Sequence, residues 1–101
     1  MKHELIKLAD IPETGSVIVP FFGRELQVYR IDGQPRAVAN TCLHLGGPLE
    51  CRDGRLTCPW HGASFDMASG EKLSGPGPQG ARLMRLPTVA DGDALFYVWG
   101  N

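Results

Sequence analysis

Four residues in this chain have the types and spacing to hold a metal: Cys42 and His44 as Cys-x-His, and Cys58 and His61 as Cys-x-x-His, with thirteen residues between the pairs. Two thiolates and two imidazoles on paired short loops suit a tetrahedral zinc ion. They equally suit a [2Fe-2S] cluster with two cysteines on one iron and two histidines on the other. The flanking residues match what a group wider than one ion requires. Backbone N–H groups must come close to it, and residues without side chains, here Gly46, Gly47 and Gly62, allow that approach. Pro48 and Pro59 fix their own φ and bias the preceding residue toward extended conformations, so stiff loops are expected.

Read in full, the two stretches are Thr41-Cys42-Leu43-His44-Leu45-Gly46-Gly47-Pro48-Leu49 and Thr57-Cys58-Pro59-Trp60-His61-Gly62-Ala63-Ser64-Phe65-Asp66. The compound pattern resembles the Rieske iron-sulfur family. That resemblance implies one [2Fe-2S] cluster, with Cys42 and Cys58 ligating one iron and His44 and His61 the other. Ser74-Gly75-Pro76-Gly77-Pro78 is similar to the proline-rich loop that covers the cluster in the family, here about residues 74–80. Rieske proteins of respiratory and photosynthetic cytochrome complexes carry an additional cysteine in each loop, where this chain has Gly47 and Trp60. They also tend to carry hydroxyls where this chain has Ala63 and Phe65. Without such donors to sulfur the reduced, more negative cluster is less stabilised, so a low-potential centre resembling the ferredoxins of aromatic-ring dioxygenases is expected.

The rest of the chain must support these loops. A length of 101 residues gives one domain with a modest core, to which a bound cluster would add support. The formal charge of −1 and the scattered basic residues argue against a nucleic-acid surface. The longest apolar run, Val17 to Phe22, is broken by Pro20 and far shorter than a membrane span, and the start Met1-Lys2-His3-Glu4 is polar. Neither segment reads as a signal or anchor. With Cys42 and Cys58 taken as ligands, Cys51 has no partner for an internal disulfide, which points to a reducing cytoplasm.

Short β-rich runs alternate with turn residues, and no segment has a convincing amphipathic helical period. Strands are expected over Glu4 to Leu8, Ser16 to Val19, Arg24 to Ile31 and Arg36 to Ala39, the last two joined by Asp32-Gly33. Asp53-Gly54 marks a second turn, and Ser69-Gly70 a third between Ser64 to Met67 and Glu71 to Leu73. Arg82 to Leu86 and Ala94 to Trp99 read as closing strands around Asp91-Gly92. The fold class is therefore all-β. What the resemblance adds is a single Rieske domain over 1–101: an antiparallel sandwich or barrel-like base, with about 40–73 inserted as the cluster-binding subdomain.

Rieske oxygenases need a separate iron site of two histidines and a carboxylate, yet after His44 and His61 only His3 remains. No nucleophile–base constellation or phosphate loop is present either. The resemblance thus implies an electron carrier and not an independent enzyme, taking single electrons from a reductase and passing them to a terminal oxygenase. Two alternatives are a small Rieske subunit of a larger redox enzyme such as a nitrite reductase, and a zinc-stabilised binding module. Cys51 matches no ligand position and reads as a spectator, and His3 as a solvated terminal side chain. Tyr29, Phe96, Tyr97 and Trp99 read as core and strand-surface residues, Trp60 as packed near the cluster or its docking face, and Leu45, Pro48 and Pro76 as an apolar rim.

Overall fold

The structure, a computed structural model, describes residues 1–40, 49–52, 54–59, 62–75 and 82–100. Among these residues ten strands follow in chain order: β1 (Lys2–Lys7), β2 (Val17–Phe21), β3 (Arg24–Ile31), β4 (Gln34–Ala39), β5 (Glu50–Arg52), β6 (Arg55–Thr57), β7 (Ser64–Asp66), β8 (Lys72–Ser74), β9 (Thr88–Asp91) and β10 (Ala94–Val98). All pairings are antiparallel, as the alternating pattern predicts. The sole helical element among the described residues is a 3₁₀ turn at Leu8–Asp10. No helix there is long and apolar enough to cross a membrane.

The chain divides into two units, Met1–Ala39 with Arg85–Asn101, and Asn40–Met84. In the first unit, one sheet runs β1-β10-β9 and another β2-β3-β4. Period-2 alternation explains its core. Leu26 and Val28 point to one face of β3, and the register sets Val19 opposite Leu26 and Ala37 opposite Val28 on that same face. These four residues, with Ile11 and Leu95, form a buried apolar cluster. Arg30 holds the preceding 3₁₀ turn in register with β3. Its Nη2 donates to the Leu8 carbonyl at 2.6 Å, as a second donor beside the Ile11 N–H, and its Nε donates to the Ile11 carbonyl at 3.3 Å.

Both tight hairpins of the β2-β3-β4 sheet use paired left-handed residues. Asp32 and Gly33 have φ of 52° and 78°, the geometry that Asp-Gly predicts. Between β2 and β3 the corresponding pair is Phe22 and Gly23, at 49° and 80°. An aromatic residue in that region is disfavoured, and ring contacts accompany it here: the Phe22 ring centroid lies 4.7 Å from that of His3 on β1 and 4.8 Å from that of Phe21. His3 is accordingly not a freely solvated side chain. It sits half-buried on β1, opposite Tyr97 on β10.

The second unit is a four-stranded meander, β5-β6-β7-β8. Leu56 of β6 and Phe65 of β7 face each other and are fully buried, and Leu49, Met67 and Leu83 are buried in the same unit. Arg82 to Leu86, expected to be a strand, forms only isolated bridges, Glu71 with Arg82 and Val38 with Arg85. Its N–H groups go to separate places, Leu83 to the Gly70 carbonyl and Leu86 to that of Ala37, and Pro87 has none to give. The partner of β10 is instead β9, Thr88–Asp91, on the other side of that proline.

Candidate metal centre

The second predicted ligand loop is built by the hairpin β6–β7. Strand pairing ends at Thr57 opposite Ser64. Just beyond it the Cys58 N–H donates to the Ala63 carbonyl and the Gly62 N–H to the Cys58 carbonyl, each at 2.8 Å. These two bonds close Cys58–Ala63 into one tight loop. Gly62 adopts φ of +80°, a conformation that a side chain disfavours, which accounts for glycine directly after His61 in the sequence. Cys58 is completely buried and in no disulfide. A buried thiol presented by a constrained loop fits an iron or zinc ligand, because the thiolate gains from a metal what burial denies it from water.

Ala63 and Phe65, the positions expected to lack hydroxyl donors, are 1% and 2% exposed. They therefore give this loop an apolar, water-excluding flank. Of the other predicted ligands, Cys42, His44 and His61 lie outside the described residues, as do Leu45, Gly46, Gly47, Pro48, Trp60 and Pro76.

The two ends of the first predicted ligand loop are described, and a residue with no metal-binding signature joins them. Asn40, buried, accepts a hydrogen bond at its Oδ1 from the Leu49 N–H at 2.9 Å. Its amide thereby spans the base of the segment carrying Cys42 and His44. An asparagine just before Thr41-Cys42 was the sole sequence signal for this brace, and Asn is too common in loops to single out.

Cys51 lies half-buried on β5 and donates to the Met67 Sδ at 3.6 Å, a sulfur–sulfur contact within the strand meander. At the end of β7, Asp66 organises the turn to β8. Its carboxylate accepts from the Ser69 N–H at 2.9 Å while its backbone carbonyl accepts from the Gly70 N–H at 2.8 Å. Hydrogen bonds from the Ser69 backbone and then the Ser69 hydroxyl lower the Asp66 pKa below the usual aspartate value, against a smaller opposing effect of burial.

Comparison with known proteins places this geometry in context. The family pattern described as the Rieske [2Fe-2S] domain matches residues 2–89. The ferredoxin component of the naphthalene 1,2-dioxygenase system of Pseudomonas aeruginosa is 31% identical over 98 residues, covering 92% of this chain and 90% of that protein. The corresponding component from Pseudomonas putida is 35% identical over 78 residues, 72% of this chain and 73% of that one. Among known structures, the ferredoxin of Sphingomonas yanoikuyae B1 superposes with a TM-score of 0.79 at 23% identity, covering 99% of this chain and 100% of that chain.

Proposed function

The chain belongs to the Rieske [2Fe-2S] domain family, and from that premise we propose that it is a low-potential electron-transfer protein, accepting single electrons from a reductase and delivering them to a terminal oxygenase. The observation that carries this reading is the 31% identity to a dioxygenase ferredoxin component across 98 residues. The cluster-binding subdomain, about residues 40–73, falls within the unit Asn40–Met84, with Cys42 and Cys58 as ligands to one iron and His44 and His61 to the other.

When bound, a cluster of this type supplies a one-electron couple. The chain's own residues set the conditions. Cys58 is buried, so water is kept from its sulfur, and the two backbone bonds closing Cys58–Ala63 fix the direction from which that sulfur is offered. Ala63 and Phe65 present no hydroxyl to sulfur, so nothing at these two positions favours the extra negative charge of the reduced state. Asn40 joins the two ends of the first ligand segment, and the Asp66 turn leads from the second hairpin into β8. The thiols of Cys51 and Cys58 suit a reducing compartment such as the cytoplasm.

The test is a reconstituted chain. Purified protein should be red-brown, contain iron and acid-labile sulfide, become reduced when mixed with a ferredoxin reductase and NADH, and restore turnover of a ring-hydroxylating oxygenase. A colourless protein containing zinc would overturn the cluster assignment. A loaded protein that no such reductase can reduce would overturn the carrier role and favour a subunit of another redox enzyme.

A further inference from the structure

The end of β8 packs closely on the C-terminal residues of the second proposed ligand loop. Gly75, at φ of +95°, lies so near Gly62 and Ala63 that a Cβ added to it would sit 2.5 Å from the Ala63 Cα, 2.8 Å from its backbone nitrogen and 3.0 Å from the Gly62 carbonyl carbon. All three are backbone atoms, so no rotamer change can relieve the collision. One residue earlier, the Ser74 and Ser64 hydroxyls are hydrogen-bonded at 2.8 Å across β7 and β8. Chain is therefore pressed against chain at Gly62–Ser64, directly after His61 in the sequence. Most other left-handed glycines here have open space where a side chain would go. Gly70, at φ of +79°, would meet only ordinary contacts with Leu83 at 3.7 Å and beyond.

We infer that Ser74 and Gly75 form a seat that positions the second ligand loop. Gly75 is needed there for close backbone approach as well as for its φ, and the Ser64–Ser74 hydroxyl pair locks the register. The seat bears on the two bonds that define the loop, from the Cys58 N–H to the Ala63 carbonyl and from the Gly62 N–H to the Cys58 carbonyl. Displacing Gly62 and Ala63 strains both bonds and changes how the Cys58 sulfur and the adjacent His61 are offered to iron. This inference rests on the proposed ligand assignment. A residue acting in this way touches no reacting atom, yet it alters the electronic environment of whatever the loop holds.

The two glycines make an internal control, because alanine at either suffers the same left-handed strain while only Gly75→Ala also strikes the ligand loop. In cluster-loaded protein, Gly75→Ala should shift the midpoint potential and the g values of the reduced EPR spectrum. It should also speed hydrogen exchange of peptides spanning residues 57–65 by about tenfold or more. Gly70→Ala should leave all three at wild-type values. Because Gly75→Ala could prevent folding, Ser74→Ala provides a milder probe that removes the hydroxyl pair, and it should change the same readouts in smaller measure. Wild-type potential, g values and exchange in either Gly75→Ala or Ser74→Ala would overturn the seat, as would equal effects of Gly70→Ala and Gly75→Ala. Wild-type protein lacking iron and sulfide would instead overturn the ligand assignment, and the inference with it.

Discussion

Cys51 and Cys58 are both thiols in the same unit, and their surroundings differ. Cys58 is sealed from water at the head of a constrained loop, whereas the sulfur of Cys51 is half-buried and contacts Met67 within the strands. Replacing Cys42 or Cys58 by serine is accordingly expected to abolish or severely deplete the cluster, and Cys51→Ser to leave iron and sulfide content unchanged. Loss of iron specifically with Cys51→Ser would make a third thiolate a ligand and defeat the assignment. At Ala63 and Phe65 the same scale governs potential. The wild-type midpoint is expected near about −150 mV, the low end for Rieske centres, and not near about +300 mV. Where a hydroxyl from Ala63→Ser or Phe65→Tyr reaches sulfur, a hydrogen bond stronger by about 1.4 kcal/mol in the reduced state raises the midpoint by about 60 mV. Both sites are nearly closed to solvent, so a new hydroxyl without a partner costs about 1–3 kcal/mol of stability instead. Voltammetry giving a wild-type value well above zero would contradict the donor argument.

Among the elements, the Asp66–Gly70 turn joins the second ligand hairpin to β8 and carries a pH dependence. Hydrogen bonds from Ser69 hold the folded Asp66 pKa below the ordinary aspartate value of 3.8. A depressed carboxylate contributes stability fully above the unfolded pKa and loses it as pH falls through the folded one, so the effect belongs below about pH 4. Near pH 6, Asp66→Asn should therefore lower the exchange protection of the turn amides relative to wild type. The difference should shrink as pH drops below about 4, where the wild-type carboxylate becomes neutral too. A difference independent of pH would show that the charge on Asp66 plays no part. The two tight turns of the β2-β3-β4 sheet differ in how far composition announces them. Asp32-Gly33 announces its left-handed pair by composition, but Phe22-Gly23 adopts the same geometry with an aromatic residue, accompanied by contacts with His3 and Phe21 that no local rule contains.

For the molecule as a whole, the division into two units predicts how it responds to loss of the cluster. The first unit has its own apolar cluster of Ile11, Val19, Leu26, Val28, Ala37 and Leu95. The second has short strands of three residues each, with a proposed ligand loop before and after its β5–β6 hairpin in the sequence. A bound metal group in so small a unit adds folding free energy that packing alone supplies sparingly. Removing iron and sulfide should thus lower hydrogen-exchange protection across 49–75 while β1–β4, β9 and β10 keep theirs. Full protection of the second unit in apo protein would refute a structural role for the cluster.

The amino-acid sequence by itself determined the all-β class, most strand positions and the family, because each of these rests on local signals. Period-2 alternation and Asp-Gly pairs need no distant partner, and Cys-x-His with Cys-x-x-His is a pattern of chemical types at short spacing. Tertiary structure decided what depends on who meets whom. Arg82 to Leu86 alternates like a strand, but its N–H groups are taken by Gly70 and Ala37, so the hairpin with β10 begins only after Pro87. Asn40 became a brace because the chain returns at Leu49 to donate to it. Gly75 read as one more residue of a Gly/Pro stretch until packing set it against Gly62 and Ala63, and only that contact makes its missing side chain matter to the ligand loop. A spacing pattern can nominate ligands, whereas the backbone contacts that aim them come from segments far apart in the chain.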